Sequence, residues 1–151
     1  MTTRVVKIAC NDARLDAVAK ELMRQAMQCV EAKGEFHIAL SESSSLDDFY
    51  ARLMCDPEMR AMPWGKMHVW CFGDTTNEES IRLAIADHSG IPEEHVHVGT
   101  IDSTIDCCLL SCADIEDIQQ TLRIQCTAYL VIASSDSAMA CSQDAVTHWF
   151  C

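Results

Sequence analysis

Short apolar runs alternate with longer segments of helical periodicity along most of this chain, and that alternation limits the folds open to it. Phe36 to Leu40 is a nearly continuous apolar run, of the kind found in strands buried within a parallel sheet. The segment before it, residues 12–33 with Asp12 as cap, has apolar side chains at helical spacing (Leu15, Val18, Leu22, Ala26, Cys29 and Val30). Gly34 follows at the position where helices commonly end. The pattern predicts an α/β fold, a three-layer Rossmann-like arrangement around a mainly parallel sheet.

Short apolar runs and helical spacing predict the other strands and helices as well. Further strands are predicted at residues 5–9, 67–72, 96–101, 106–110 and 129–133. Further helices are predicted at residues 46–55, 77–89, 114–122 and 137–149, the second of them capped by Asn77 and ended by Gly90. A polar turn, Ser41 to Ser45, follows the second strand. Because no repeat, low-complexity tract or linker interrupts the series, we predict a single domain spanning residues 1–151.

The charge balance excludes two classes of partner. The chain has 23 acidic and 11 basic residues, a formal charge of −12, and no cluster of Lys or Arg. Nucleic acid and anionic membrane surfaces both attract basic patches, so neither is expected as a partner. No apolar stretch approaches the roughly 20 residues of a membrane helix, and Arg4 and Lys7 interrupt the early apolar run, so no signal peptide is predicted. The ten cysteines then suit reduced, mostly buried side chains in a cytoplasmic protein.

Three segments in order resemble the motifs of one enzyme family. The first reads Gly34-Glu-Phe-His-Ile-Ala-Leu-Ser41-Glu-Ser-Ser-Ser-Leu46, the second Trp64-Gly-Lys-Met-His-Val-Trp-Cys-Phe-Gly-Asp74, and the third runs from Thr76-Asn77 to Ile91-Pro92. Together they resemble the 6-phosphogluconolactonase family, which is related to the glucosamine-6-phosphate isomerases. The resemblance is good over residues 5–98 and weaker beyond, and the chain looks like a shortened member of the family.

The resemblance implies where a ligand site would lie and what it lacks. In the family a Gly-Gly turn and a strand ending in Asp form a sugar-phosphate site, which implies that its remnants here are Ser41, Ser43, Ser44, Ser45, Asp74 and Asn77. Glu42 and Ser43 stand where the family has its glycines, so the anion cradle that backbone N–H groups form there is not expected. The arginine after the family's Asp has no counterpart, and the family's histidine and lysine fall at Asp117 and Ser137.

These losses predict a degenerate member that lacks lactonase activity. We expect it to act through contacts with a protein partner or a second copy of itself, or through weak binding of a sugar phosphate, and to need no cofactor. The alternative is an active enzyme, a 6-phosphogluconolactone hydrolase or an amino-sugar-phosphate isomerase, that uses relocated residues such as His68, His88 or His148. The resemblance implies a connection to carbohydrate metabolism and the pentose phosphate pathway.

Metal binding is not predicted. His95 and His97 would share one face of a strand, but no third ligand lies near them in the sequence. Cys107, Cys108 and Cys112 lack the paired spacing of a structural zinc site. The interpretation favoured for the two histidines is therefore an exposed pair on an edge strand.

Overall fold

The computed structural model describes residues 4–6, 10–40, 46–71, 75–98, 104–111, 126–132 and 148–150. These ranges contain the strands β1 (Arg4–Val6), β2 (Phe36–Leu40), β3 (Met67–Cys71), β4 (Val96–Val98), β5 (Ile105–Ser111), β6 (Cys126–Ile132) and β7 (His148–Phe150). Their helices are α1 (Asn11–Lys33), α2 (Asp47–Cys55), α3 (Thr75–Ile81) and α4 (Asp87–Ser89), with a π-helical turn at Arg82–Ala86 and 3₁₀ turns at Pro57–Ala61, Trp64–Lys66 and Glu93–His95. None of the helices in these ranges has the length and apolar character that crossing a membrane requires.

The strands form one sheet in the order β1-β7-β6-β5-β2-β3-β4, and every described pair of neighbours is parallel. Parallel neighbours need crossover connections, and described helices supply them between β2 and β3 and between β3 and β4. Helix α1 lies between β1 and β2 in the chain, α2 between β2 and β3, and α3 with α4 between β3 and β4. The predicted α/β fold with a mainly parallel sheet is confirmed.

One face of the sheet carries the core that the helices cover. Along β2 the core side chains Phe36, Ile38 and Leu40 alternate with His37 and Ala39, as the two-residue period of a strand requires. The helices contribute buried side chains to the same core (Leu15, Val18, Leu22, Phe49, Tyr50 and Leu53). Because removal of this apolar surface from water is the main stabilising term in folding, helices and sheet are held together along this face. The opposite face carries His37.

The two glycines predicted to end helices, Gly34 and Gly90, do so in the structure. Gly34 follows α1 with φ 85°, and its N–H donates to the Val30 carbonyl. A left-handed backbone conformation favours glycine because glycine has no Cβ. Gly90 ends α4 in the same conformation, with φ 82°. The predicted cap of α1, Asp12, lies instead within the first turn, because the helix begins at Asn11.

Two other predicted helix boundaries are wrong. Asn77 lies inside α3 and does not cap it, because the helix begins at Thr75. His148 and Trp149, predicted as the end of a helix, lie in β7 between β1 and β6. Pairing on both sides outweighs the local helical pattern of so short a segment. Two predicted helical stretches lie outside the described residues (114–122 and 137–147).

The cysteines of the described ranges are free thiols in very different environments. Cys10 and Cys55 are exposed, whereas Cys71 is buried. Burial raises the pKa of Cys71 to about 11 and that of Cys126 to about 12. A raised pKa lowers the fraction of thiolate, which is the form that reacts with alkylating agents.

Alkylation with iodoacetamide at about pH 8 should therefore distinguish the exposed thiols from those whose pKa is raised. We expect Cys10 and Cys55 to be modified at least about a hundredfold faster than Cys71 and Cys126, because a pKa two units above that of an ordinary thiol lowers the thiolate fraction by about that factor. Peptide mass spectrometry over time measures each rate. Alkylation in denaturant is the control in which all four thiols react alike, and rapid modification of Cys71 in the folded protein would contradict the packing of β3.

Candidate functional site

The residues that the family resemblance assigns to a ligand site follow strands β2 and β3 in the chain. Five of the six lie outside the described residues (Ser41, Ser43, Ser44, Ser45 and Asp74). The sixth, Asn77, lies in α3, and its side chain is also outside the described set. Their role as remnants of the family's site therefore stays a prediction.

Helix α2 is the next element after β2 in the chain, and it begins with carboxylates. Asp47 and Asp48 are exposed in its first turn, and the residue before them, Leu46, supplies no side-chain cap. Carboxylates in this position interact favourably with the partial positive charge of the helix start. They also repel a phosphate group, so this helix start does not offer the anion site that such positions otherwise provide.

A groove of about 620 Å³ lies between α1 and α2, and its polar lining is mainly acidic. Asp12, Asp48 and Asp56 contribute carboxylates, and Arg52 is the one basic side chain among the described residues that line it. The Arg52 Nη2 atom lies 3.1 Å from Asp12 Oδ1, so this positive charge is already paired. The groove has a net negative charge and is a poor receptor for a sugar phosphate.

Other basic side chains are also held by carboxylates. Arg82, on the π-helical turn after α3, donates from Nε to Glu78 at 3.0 Å and from Nη1 to Glu93 at 2.6 Å. These hydrogen bonds raise the pKa of Arg82. Further ion pairs join Lys20 to Asp16, Arg24 to Glu21 and Lys33 to Asp106. The pairing reduces the positive charge that is available to hold a phosphate group.

The amino edge of the sheet carries a different group of polar residues. His37 and His68 are the second residues of β2 and β3, and the parallel register sets them side by side. His97, the second residue of β4, lies opposite Trp70, two residues further along β3. His95, in the 3₁₀ turn before β4, stacks on His68 with ring centroids 3.9 Å apart. Glu35 precedes β2 at the same edge. These five residues are termed the histidine cluster.

Glu35 contacts two imidazoles of the histidine cluster. Its Oε1 atom lies 3.1 Å from His37 Nε2, and its Oε2 atom lies 3.4 Å from His68 Nε2. The hydrogen bond with His37 lowers the pKa of Glu35, which keeps the carboxylate ionised at neutral pH. Burial, followed by the charge of His95, lowers the pKa of His68 and favours its neutral form. One negative charge thus faces two ring nitrogens.

Stacking holds the rings of the histidine cluster in place. The His37 and His68 rings have centroids 4.4 Å apart and planes inclined by 9°. The His97 ring stacks on Trp70 at 4.1 Å. The side chains of His37 and His68 are only 12% and 17% exposed. Rings packed in this way have few alternative rotamers, so the cluster is preorganised.

The direction of the hydrogen bond between Trp70 and His37 follows from the chemistry of the indole group. An indole N–H can only donate, so Trp70 Nε1 donates to His37 Nδ1 at 3.0 Å. Neutral His37 therefore carries its proton on Nε2 and directs it toward Glu35. The tautomer of His37 is thus determined by its two neighbours.

The other three histidines of the cluster are oriented by hydrogen bonds as well. A carbonyl can only accept, so His95 Nδ1–H donates to the Met67 carbonyl oxygen at 3.1 Å. His68 Nδ1 and His97 Nε2 lie 2.9 Å apart and share one proton, with either ring as its donor. A continuous series of polar contacts therefore runs from Trp70 through His37, Glu35 and His68 to His97.

Asp106 supports the amino end of β2 from the neighbouring strand β5. Its Oδ2 atom accepts the backbone N–H of His37 at 2.8 Å, and its Oδ1 atom pairs with the Lys33 ammonium. The Asp106 side chain is 6% exposed, whereas that of Lys33 is 46% exposed. The hydrogen bond to Asp106 raises the pKa of Lys33. These contacts fix the backbone of His37 and thereby the position of its ring in the histidine cluster.

The histidine cluster is what the sequence-based reasoning missed. His95 and His97 do not share a strand face, because His95 lies in the turn before β4 and only His97 lies on the strand. The pair is half-buried, not exposed, and the partner of His97 is His68, 29 positions earlier in the chain. The available signal was a histidine at the second position of three predicted strands. The strand order and register decide whether these histidines contact one another.

No protein-family model matches the chain, and no curated protein matches it at a significant level. Solved structures do match. The chain is similar to a 6-phosphogluconolactonase from Thermotoga maritima, with a TM-score of 0.74 and 13% identity over 99% of each chain. It is similar to a devB protein, with a TM-score of 0.69 and 12% identity over 98% of this chain and 95% of that one. A 6-phosphogluconolactonase from Shewanella baltica matches with a TM-score of 0.64 and 10% identity over 97% of each chain.

These likenesses establish an α/β protein with the fold of the 6-phosphogluconolactonases. The resemblance found in three sequence segments is confirmed at the level of the fold. The structural match covers nearly the whole chain and so extends beyond residues 5–98, where the sequence resemblance is good. Because identities of 10–13% establish the fold alone, function has to be inferred from the residues of this chain.

Proposed function

We propose that this protein is a single-domain, cytoplasmic relative of the 6-phosphogluconolactonases that has their fold without their lactonase activity. It acts through contacts with a protein partner or a second copy of itself, or through weak binding of a sugar phosphate. The observation that carries the proposal is the charge of the groove between α1 and α2. Three carboxylates there face one arginine, and that arginine is already paired with Asp12.

The chemistry of lactone hydrolysis explains why this charge matters. The reaction requires a base that activates water and a group that stabilises the developing oxyanion. Asp47 and Asp48, in the first turn of the helix that follows β2, are both negative. Arg82, on the helical segment after β3, is bound by Glu78 and Glu93. Such surroundings raise the energy of an anionic substrate and of an oxyanion alike.

The described histidines give no support to the alternative of an active enzyme with relocated residues. His68 lies at the amino end of β3, about 10 Å along the strand from the carboxyl end at Cys71. Its ring is held by Glu35 and the neighbouring imidazoles. His88 is exposed on α4, and His148 lies in β7 with its side chain outside the described residues.

Hydrolysis of 6-phosphogluconolactone tests the proposal directly. We expect the purified protein to give no hydrolysis above the spontaneous rate, because the charges described above disfavour both substrate and oxyanion. Acid release at constant pH measures the rate, and the Thermotoga maritima 6-phosphogluconolactonase is the positive control. Turnover that Asp74→Ala abolishes would refute the proposal by revealing a working site at the family's position. Turnover that His88→Ala abolishes would refute it in favour of relocated residues.

A further inference from the structure

We propose that Glu35, His37 and His68 form a binding site for a divalent transition-metal ion at the amino edge of the sheet. A carboxylate oxygen and one ring nitrogen from each histidine lie within 4.8 Å of one another. Two histidines and a carboxylate form the ligand set of several zinc sites and of non-haem iron sites, and they leave coordination positions for water or another ligand. The site lies at the opposite end of the strands from the predicted lactonase remnants, so it is independent of the function proposed above.

Two of the three ligands lie on strands, and the third, Glu35, directly precedes β2. His37 and His68 are directly paired across the parallel strands β2 and β3. Glu35 lies two positions before His37, and both of its oxygens face the two rings. The Glu35 side chain is 50% exposed, which gives an ion access from solvent. Sites on strands hold their ligands more accurately than sites on loops.

Each Glu35 oxygen lies at a distance from one histidine nitrogen that suits a zinc ion. Zn–N and Zn–O bonds of roughly 2.0–2.2 Å hold the donors of a tetrahedral site about 3.3 Å apart. The Glu35 oxygens lie 3.1 Å from His37 Nε2 and 3.4 Å from His68 Nε2. The two histidine nitrogens are the wider pair, because their rings are stacked. Ligation by both nitrogens therefore requires the two rings to leave their stacked orientation by rotation about their Cβ–Cγ bonds, and this rearrangement lowers the affinity of the site.

His68 has the second hydrogen bond that metal-binding histidines usually have. With an ion on Nε2, the ring proton lies on Nδ1 and is donated to His97 Nε2, 2.9 Å away. His97 is itself held by its stack on Trp70. The cluster therefore orients His68 for an ion on the side of Glu35.

Binding of the ion breaks the hydrogen bond that His37 accepts from Trp70. Trp70 donates to His37 Nδ1, so the proton of the neutral ring lies on Nε2, where the ion would bind. Ligation through Nε2 moves that proton to Nδ1 and breaks the hydrogen bond from Trp70. Because a neutral hydrogen bond contributes about a factor of five to an equilibrium constant, Trp70 should weaken metal binding by about that factor.

Metal titration of the full chain tests the site. After treatment with a chelator and a reductant, we expect Co²⁺ to give the visible absorption of nitrogen and oxygen ligation without the strong near-ultraviolet band of thiolate ligation. This spectrum separates the site from the ten cysteines. Competition with Zn²⁺ then measures its affinity. Glu35→Gln and His68→Ala should each weaken Zn²⁺ binding by at least about tenfold.

The matched control is His88→Ala, which removes an exposed histidine on α4 and should leave the affinity unchanged. Trp70→Phe should bind Zn²⁺ several-fold more tightly than the wild type, an effect that a merely structural role of the cluster would not produce. Circular dichroism shows whether each variant is folded. If His68→Ala does not fold, Glu35→Gln still tests the site, because Glu35 is at an exposed position. The proposal is overturned if the wild type shows only thiolate ligation or no binding, if Glu35→Gln binds as His88→Ala does, or if Trp70→Phe weakens binding.

Discussion

Replacement of Asp106 by alanine should lower the free energy of unfolding by about 3 kcal/mol. The carboxylate of Asp106 is 6% exposed, accepts the His37 backbone N–H at 2.8 Å and pairs with Lys33. Alanine leaves that N–H without its acceptor at the buried start of β2. Because Lys33 is 46% exposed, water replaces part of its lost interaction. The larger share of the effect therefore comes from the backbone N–H.

Urea unfolding followed by circular dichroism measures this effect. Asp106→Asn keeps an oxygen that accepts the His37 N–H and should lose only about 1 kcal/mol. The control is Asp16→Ala, which removes the partner of the exposed Lys20 and should change the free energy of unfolding by less than about 0.5 kcal/mol. A loss below about 1 kcal/mol for Asp106→Ala would contradict the inferred role of this carboxylate.

The same ion pair has a defined pH dependence. The hydrogen bond with Asp106 raises the pKa of Lys33 above 10.5, so the folded protein binds this proton more tightly than the unfolded chain. A contribution of that sign is complete below pH 10.5 and is lost as the pH rises through the raised pKa. The difference in stability between the wild type and Asp106→Ala should therefore stay constant near neutral pH and narrow in strongly alkaline solution.

Replacement of Phe49 by alanine should lower the free energy of unfolding by about 4 kcal/mol. Phe49 lies on α2, is fully buried, and packs with its ring centroid 6.3 Å from that of Tyr50. Alanine removes most of the buried side chain and leaves a cavity in the core between helix and sheet. Partial collapse of the cavity decides where in the range of about 3–5 kcal/mol the value falls.

Thermal and urea unfolding measure the loss at Phe49. The matched variant is Leu83→Ala, at a large apolar residue that is 61% exposed, and it should change the free energy of unfolding by less than about 0.5 kcal/mol. Equal effects of the two substitutions would show that α2 does not pack on the sheet as described.

The long and strongly patterned elements could be predicted from the sequence, and the three-residue strand β7 could not. Strand β2 has the predicted bounds, Phe36–Leu40, because its apolar run and the following polar turn are both clear signals. Helix α2 begins within one residue of its predicted start for a similar reason. Strand β7, three residues at His148–Phe150, has too few positions to show a period. Its place between β1 and β6 comes from tertiary pairing, which local periodicity does not record.

The histidine cluster could not be predicted for a related physical reason. His37 and His68 lie 31 positions apart in sequence, and only the parallel register of β2 and β3 brings their rings to 4.4 Å. A shift of that register by one residue would turn the histidine of one strand to the other face of the sheet. The sequence also gave no indication that Glu35 would face both rings. What the sequence does show is the charge at the start of α2, because Asp47 and Asp48 follow the predicted turn directly.

The strand order has a consequence for how the chain assembles itself. Strand β1 pairs only with β7 among the described strands, through contacts such as Arg4 with His148. During synthesis the described partner of β1 is therefore missing until residues 148–150 have been made, and closure of so long a loop is slow. All of the residues of the histidine cluster lie between positions 35 and 97. The strands that build the cluster can thus pair before β7, the described neighbour of β1, has been made.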